Sequence, residues 1–353
     1  MENLALIDSF AEFKDDKNID RVTLMGIIED VFRNMIIKRY GSDDNFDIIV
    51  NPDKGDLEIW RNRIVVEDEK VEDDNAEIAY SAAIKIEPDF EVGEEVSEEV
   101  HLIDFGRRSI LSLRQNLISR IQEHDNTDLY NKYKELVGEI ISGEVHHIRN
   151  REVIIIDDMD NEVILPKDQQ IRSDFFRKGD TIRGVVKEVQ LKGMKPRIVL
   201  SRTSPKFLER LFEQEIPEVA DGLIVVKRIE RIPGEKAKVA VESYDERIDP
   251  VGACVCMKGS RIHSIVRELG NENIDVINYT TNISLFITRA LSPAKVSSIT
   301  IDEDNNRAEV FLKPDQVSLA IGRGGSNIRL AGAITGYEID VYRDVDDSED
   351  VSL

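Results

Sequence analysis

Residues 321–329 read Ile321-Gly322-Arg323-Gly324-Gly325-Ser326-Asn327-Ile328-Arg329 and lie between two apolar segments with helical spacing. Because glycine has no Cβ, a Gly-x-x-Gly turn lets a phosphodiester backbone approach closely. The N–H groups that open the next helix suit phosphate oxygens, and two arginines add positive charge. The stretch predicts a phosphate-binding turn, with a plain glycine-rich turn between packed helices as the alternative.

A second copy of this pattern lies upstream, at residues 249–262, and leads to a strand-like segment at 273–277. The equivalent positions are Val251 and Val317, Val255 and Ile321, Gly259 and Gly325, and Ile262 and Ile328. Two copies of helix, glycine turn, helix and strand indicate an internal repeat. The first copy departs in one place, because Cys256 occupies the position of the first turn glycine.

The net charge of −23 is opposite in sign to that of a typical nucleic-acid-binding protein. Its distribution is uneven, since residues 67–99 carry only Lys70 and Lys85 against many carboxylates, whereas both glycine turns are basic. The total therefore does not exclude RNA binding. We interpret the acidic segment as a solvated charged surface or a face for a basic partner, rather than as paired catalytic carboxylates.

The 353 residues suffice for two to four domains, and no apolar run approaches the roughly 20 residues of a membrane span. The first residues lack the pattern of a signal peptide. Two cysteines, Cys254 and Cys256, form no disulfide framework and fit a reducing compartment, so we expect a cytoplasmic protein. Zinc needs about four ligands, and only His263 is near, so we predict no metal and no other cofactor.

The first third of the chain predicts helices, then short strands, then a long helix. Asp20 is a plausible N-cap for a helix that runs to about Arg39, and Gly41 supplies a stop. The other predicted elements are a helix at 3–14, strands at 47–50, 57–60, 64–66 and 100–105, a turn at 52–55, and a helix from about 109 to 136.

Five short strands follow, at 138–145, 153–156, 163–165, 181–186 and 197–200. This spacing suits a small closed barrel of the OB type. We interpret Asp157, Asp158 and Asp160 as a polar hairpin tip rather than a metal cluster. Phe175 and Phe176 are the nearest candidates for aromatic stacking on RNA, but we interpret them as core residues.

Each copy of the repeat is completed by a helix and two strands, which gives the order α-β-β-α-α-β. The predicted additions are a helix at 206–214 and strands at 223–229 and 237–241 in the first copy, and a helix at 293–297 and strands at 296–301 and 307–312 in the second. Five cations of the first hairpin either flank a nucleic-acid path or form a solvated surface: Lys227, Arg228, Arg231, Lys236 and Lys238.

The two repeats resemble KH domains, whose glycine turn clamps about four nucleotides. The 177–180 turn resembles the ribosomal S-one class of barrel. The whole order resembles the NusA family of bacterial transcription elongation factors, and the runs 204–219, 247–255 and 320–331 carry this resemblance. It implies a protein that is not an enzyme. Such a protein binds RNA polymerase through its N-terminal domain, holds nascent single-stranded RNA along its barrel and KH domains, and works with other antitermination factors on pausing, termination and antitermination.

We therefore expect an α+β multidomain fold with an N-terminal α/β polymerase-binding domain, an OB-fold barrel and two tandem type II KH domains. The expected bounds are 1–127, 128–201, 202–280 and 281–345, with a short acidic tail at 346–353. The expected RNA contacts are Met257, Lys258, Gly259, Ser260 and Arg261 in the first turn, and Gly322, Arg323, Gly324, Gly325, Ser326, Asn327 and Arg329 in the second.

Three departures from the family pattern carry expectations. Cys256 should weaken the first clamp, Pro166 replaces a histidine that stacks on RNA in many S-one barrels, and the acidic C-terminal repeats of some members are absent. Two other functions stay open. One is an exoribonuclease of the class that carries KH and S-one modules. The other is an RNA-binding protein of the ribosome or of RNA metabolism that acts away from polymerase.

Overall fold

A computed structural model describes residues 19–51, 56–255 and 260–344. The chain divides into two compact units, residues 1–129 (the N-terminal unit) and 130–353 (the C-terminal unit). The predicted helix at 3–14 and the predicted turn at 52–55 lie outside the described residues.

The described part of the N-terminal unit combines three α-helices and a 3-10 helix with a four-stranded sheet. Its described elements are α1 (Arg21–Tyr40), β1 (Phe46–Asn51), β2 (Asp56–Val66), β3 (Glu77–Ala79), α2 (Tyr80–Ile86), β4 (Glu95–Glu99), a 3-10 helix (Leu102–Phe105) and α3 (Arg107–Glu135), which continues past the unit boundary. Strand β2 pairs antiparallel with β1 and β4 and parallel with β3.

Helix α1 begins and ends where the sequence predicts. The Asp20 carboxylate accepts the N–H groups of Val22 and Thr23, and Gly41 adopts the left-handed conformation at the C-terminus. The apolar stripe of α1 packs against the stripe of α3 at Leu113 and Leu117. Residues of both helices therefore belong to one core.

Two predictions for this unit are wrong in detail. Residues 64–66 are the end of the long strand β2 rather than a separate strand. Residues 100–105 contain a 3-10 helix that buries Phe105 and exposes Ile103, and the strand precedes them at 95–99. The carboxylates of the acidic segment 67–99 lie at the surface, and the segment also contains β3, α2 and β4. A small core of Val65, Ile78, Ala83 and Val96 anchors it.

The C-terminal unit begins with a closed five-stranded barrel. Its strands are β5 (Ile140–Ile148), β6 (Glu152–Asp157), β7 (Glu162–Pro166), β8 (Thr181–Lys192) and β9 (Lys195–Ser201). The order around the barrel is β5-β6-β7-β9-β8, and the parallel pairing of β7 with β9 closes it. This is the OB topology that the strand spacing predicts.

A buried tyrosine links the end of α3 to the barrel. The Tyr133 hydroxyl donates a hydrogen bond to the Asp157 carboxylate, which also accepts the N–H groups of Met159 and Asn161. Burial, with the neighbouring carboxylate, raises the pKa of Tyr133 well above its usual value. The hairpin tip is as predicted for Asp158 and Asp160, which are exposed, but Asp157 is buried and structural.

We expect Tyr133→Phe to lower the free energy of unfolding by about 1–3 kcal/mol, because the buried carboxylate loses a donor. Urea unfolding followed by circular dichroism measures this. Tyr130→Phe is the matched control, since Tyr130 lies on the same helix, is only half-buried and has no hydrogen bond from its hydroxyl to a described residue. Equal midpoints for the two variants would contradict the account.

Two domains of α-β-β-α-α-β order follow the barrel, and the first has a short extra helix before its first strand. The first, KH1, contains α4 (Pro205–Glu215), α5 (Pro217–Ala220), β10 (Ile224–Ile232), β11 (Lys236–Ser243), α6 (Pro250–Val255), α7 (Ser260–Glu268) and β12 (Asn273–Asn278). The second, KH2, contains α8 (Ile283–Ala290), β13 (Val296–Asp302), β14 (Arg307–Leu312), α9 (Pro314–Ile321), α10 (Ser326–Thr335) and β15 (Glu338–Arg343).

The two sheets repeat each other in order and direction. In each, the first two strands are antiparallel and the third strand is parallel to the second. The predicted repeat is confirmed at this level. The first helix of KH2 is not at 293–297, where β13 begins; it is α8, ten residues earlier, and the Asn282 side chain caps it.

Apolar residues join the three C-terminal domains into one unit. Ile171 and Val185 of the barrel belong to the same core as Phe207 and Leu211 of KH1. Ala240 and Ile277 of KH1 belong to the core of KH2. Any surface that spans these domains therefore has a fixed geometry.

Within the described ranges, the structure has no helix that is both long and apolar enough to cross a membrane.

Candidate nucleic-acid interface

The turn at Gly322–Gly325 joins α9 to α10 and depends on glycine in two different ways. A Cβ on Gly322, whose φ is +73°, would lie 2.7 Å from the Asn327 Cβ, so packing inside the turn requires glycine there. Gly324 and Gly325 also have positive φ, but no atom lies within 4 Å of the Cβ that either would carry. Their backbone therefore faces open space, as a phosphate-binding turn requires.

Positive charge surrounds this open backbone. The N–H groups of the first turn of α10 have no acceptor within the helix, and the positive end of the helix dipole lies there. The Arg323 and Arg329 side chains are exposed, and neither has an ion-pair partner among the described residues. The side chains that the sequence places at the second turn therefore lie together, with one exception.

That exception is Asn327, which was expected to contact RNA. Its side chain is only 1 % exposed, and its amide nitrogen donates to the carbonyl oxygens of Leu291, Leu319 and Ala320. The side chain holds the turn from inside instead of facing solvent. Its place as the second residue of a helix, where exposed positions are common, gave no sign of this.

A cavity of about 840 Å³ connects the KH2 turn to KH1. On the KH2 side it is lined by the glycine turn together with Arg323 and Arg329. On the KH1 side it is lined by the tip of the β10–β11 hairpin, including Glu235 and Lys236. Both domains thus contribute to one groove beside the open backbone.

The first glycine turn is only partly described. Met257, Lys258 and Gly259, and with them Cys256, lie outside the described residues. Ser260 begins α7. Arg261 donates to the Glu218 carboxylate at 2.7 Å and to the Ala253 carbonyl, and this bond lowers the pKa of Glu218 below its usual value. Arg261 therefore ties α5 to the helices around the turn.

The cysteine before this turn is buried. Burial raises the pKa of the Cys254 thiol to about 12, so the group stays protonated at neutral pH. Among the residues that the structure describes, no three histidine, cysteine or acidic side chains form a group that could hold a metal ion.

Each of the five hairpin cations has a carboxylate or carbonyl partner within the protein, and neither interpretation holds for the whole group, because two are buried, two are exposed and one lines the groove. Arg231 and Lys238 are buried. Burial lowers the pKa of Lys238, and Asp275 at 3.0 Å opposes that shift. Arg228 donates to the Ile334 carbonyl of KH2, and Lys227 lies 3.2 Å from Glu242. Only Lys236 lines the groove.

Buried ion pairs fasten the barrel to KH1. Arg202 bonds to Asp174 in the barrel and to Glu268 at the end of α7. Arg231 bonds to Glu272, and also donates to the Arg202 and Ser204 carbonyls. These contacts, which the sequence does not reveal, keep the barrel face and the KH1 hairpin at a constant separation.

One barrel prediction is wrong. Phe175 is 77 % exposed, with the Arg177 guanidinium 5.6 Å from its ring centre, so it is not a core residue. Phe176 is half-buried, and Arg202 lies 5.9 Å from its ring. An exposed aromatic beside an arginine is the kind of platform on which an unpaired base stacks.

A five-stranded OB-type barrel followed by two KH domains, one with an open, basic glycine turn, defines a multidomain RNA-binding protein. Family models agree: the NusA N-terminal domain matches residues 5–127, the NusA-like first KH domain 202–279, and the NusA-like second KH domain 283–349. The chain belongs to the NusA family.

The similarity to named members extends over nearly the whole chain. The transcription termination/antitermination protein NusA of Thermus thermophilus is 35 % identical over 347 residues, which cover 96 % of this chain and 89 % of that protein. The protein of the same name from Bacillus subtilis is 31 % identical and covers 98 % and 92 %. That from Rickettsia prowazekii is 34 % identical and covers 99 % and 69 %.

Proposed function

We propose that this chain is a transcription elongation factor that binds RNA polymerase and nascent single-stranded RNA, and that modulates pausing, intrinsic termination and antitermination. The observation that carries the proposal is the open glycine turn of KH2 in a chain that matches named termination/antitermination proteins along almost its full length. The protein acts by binding, without a catalytic step.

The RNA contacts follow from the geometry of the groove. Phosphates approach the backbone at Gly324 and Gly325, and Arg323 and Arg329 neutralise them. Ser326 lies at the start of α10 and lines the groove, and Gly322 shapes the turn. The first turn, residues 257–261, contributes an equivalent clamp in this proposal. Asn327 supports the second clamp without contacting RNA.

Polymerase binding is assigned to the N-terminal unit, whose match to the NusA N-terminal domain supports it. The acidic segment 67–99 is a candidate for this contact, because it is folded and presents many carboxylates to a basic partner surface. Other antitermination factors are further partners in the proposal.

Two weak contacts on one complex explain how an acidic protein can hold RNA. Once one unit is bound to polymerase, the RNA-binding domains experience the emerging transcript at a high effective concentration. Local positive charge at the groove then suffices, even though the net charge of −23 opposes free association.

The decisive experiment is single-round transcription with the cognate polymerase at a hairpin-stabilised pause, with and without the protein. We expect a longer pause lifetime in its presence. An unchanged lifetime together with intact RNA binding would refute the polymerase-linked function and favour an RNA-binding protein that acts elsewhere.

RNA binding itself has an electrostatic signature. We expect log affinity for single-stranded RNA to fall linearly with log salt concentration, by about 0.7 for each neutralised phosphate. Fluorescence anisotropy of a labelled RNA over a salt series measures the slope. A slope near zero would remove phosphate clamping from the account.

Cys256 aligns with Gly322, where glycine is required by φ and by packing. We therefore expect Cys256→Gly to bind single-stranded RNA as tightly as the wild type or more tightly, because a Cβ at the equivalent position of KH2 would crowd the inside of the turn and the substitution removes such a Cβ. Cys254→Ala serves as the control for loss of a thiol. A clear loss of affinity in Cys256→Gly would mean that this cysteine has a role of its own.

A further inference from the structure

The interior of the KH2 turn is connected to KH1 by a single side chain. Lys236, at the start of β11 in KH1, donates from its Nζ to the Asn327 Oδ1 at 3.1 Å. The Asn327 Nδ2 donates to three carbonyl oxygens. Only this orientation of the amide satisfies both sides, because a flipped amide would direct its oxygen at three acceptors and its N–H groups at an ammonium.

Asn327 in turn determines the shape of the glycine turn. Two of its acceptors, the carbonyls of Leu319 and Ala320, belong to the last turn of α9, and Asn327 itself is the second residue of α10. The amide therefore bridges the helices on both sides of Gly322–Gly325. A Cβ on Gly322 would lie 2.7 Å from the Asn327 Cβ, so the position of Asn327 requires glycine at 322.

Lys236 is itself fixed from the KH1 side. Its Nζ lies 2.8 Å from the Asp275 carboxylate on β12, and the side chain is 17 % exposed. Lys238 also pairs with Asp275, so the carboxylate keeps a cationic partner if Lys236 is replaced. A held ammonium is a better positioning group than a free one, because its conformational entropy is already reduced.

We propose that Lys236 is a positioning residue through which KH1 holds the phosphate-binding turn of KH2 in its binding geometry, acting by way of Asn327. The inference rests on the proposed RNA-binding function. In consequence, the KH2 clamp is a composite of two domains: the residues that contact RNA lie in KH2, and the group that orders them lies in KH1.

The competing role for Lys236 is a direct contact with a phosphate, since it lines the groove. The two roles differ in what the charge does. A lysine that neutralises a phosphate contributes about 0.7 to the salt slope, whereas a positioning lysine contributes affinity without changing the slope.

The experiment uses the full-length chain and a labelled pool of random-sequence single-stranded RNA. We expect Lys236→Met to weaken binding about tenfold, the equivalent of one charge-assisted hydrogen bond, with an unchanged salt slope. We expect Lys236→Met to add little to Asn327→Ala, because both substitutions interrupt one connection. Lys236→Arg, which keeps a cationic donor, should recover most of the affinity.

A second measurement follows the turn directly. The amide resonances of Gly322, Gly324 and Gly325 in the RNA-free protein should shift in Lys236→Met. Lys227→Met is the matched control: Lys227 lies toward the other end of the same hairpin, pairs with Glu242, and does not line the groove. It should leave both the resonances and the affinity unchanged.

Three results would overturn the inference: a slope reduced by about 0.7 with additive effects of the two substitutions, full affinity in Lys236→Met, or unshifted glycine resonances. Failure of the proposed RNA binding looks different, because it appears in the wild-type chain as absence of binding to the pool. The resonance measurement tests the structural connection in either case.

Discussion

Replacing Glu272 with glutamine is expected to lower the free energy of unfolding of the C-terminal unit by about 3–5 kcal/mol. Glu272 is fully buried, accepts two hydrogen bonds from Arg231 and one from the Gly234 N–H, and has no access to water. The glutamine amide keeps the shape but leaves the Arg231 guanidinium as a buried cation without a counter-charge. It also presents N–H groups to donors, so at least one hydrogen bond is lost.

Urea unfolding followed by circular dichroism measures this effect. Glu246→Gln is the matched control, because Glu246 is an exposed carboxylate of the same domain with no described partner, and its replacement should change stability by less than about 0.5 kcal/mol. Similar midpoints for the two variants would mean that the Arg231–Glu272 pair does not stabilise the C-terminal unit.

The sequence predicts those parts of the molecule in which neighbouring residues carry the information. The apolar stripes of α1 and α3, the Asp20 cap, the five barrel strands and the repeated helix–turn–helix–strand pattern depend on local spacing. The glycine turn of KH2 could also be predicted from the sequence, because residues with positive φ and an open backbone are usually glycine, and the sequence has glycine at these positions. Family resemblance then added the order of the domains.

The ion-pair partner of each charged side chain could not be predicted from the sequence. Arg231 and Lys238 look like surface cations of a hairpin, yet their carboxylates, Glu272 and Asp275, are separated from them by 41 and 37 residues. The same limit applies to Asn327, whose acceptor at Leu291 is 36 residues away. The sequence shows how many cations the hairpin contains, but only the fold shows which of them are paired with carboxylates and therefore unavailable to RNA.

The secondary structure of the acidic segment 67–99 could not be predicted from the sequence either. Its core consists of four small or medium side chains widely spaced along the chain, so no window of helical or strand period stands out among the carboxylates. For Phe175 the sequence misleads in the opposite way, by suggesting burial where there is exposure. Two adjacent aromatic residues suggest core packing, but the Phe175 ring is exposed to solvent.

Gly324→Asp and Gly325→Asp are each expected to weaken binding of single-stranded RNA by about 10- to 100-fold without unfolding KH2. A carboxylate at either position would lie where a phosphate approaches, and like charges at close range cost several kcal/mol. The fold should tolerate both changes, because the added Cβ meets no atom within 4 Å and because aspartate adopts positive φ more readily than most residues. Anisotropy with the labelled RNA pool, beside thermal unfolding of each variant, separates the two effects.

The matched control for these substitutions is Gly336→Asp. Gly336 ends the same helix, α10, with φ of +81° and open space around its Cβ, so it imposes the same backbone demand and the same change of charge. It differs in lying at the negative end of the helix, away from the groove. If Gly336→Asp weakens RNA binding as much as Gly324→Asp, the loss reflects net charge alone. If only the turn variants lose affinity, the phosphate site is at the backbone of Gly324 and Gly325.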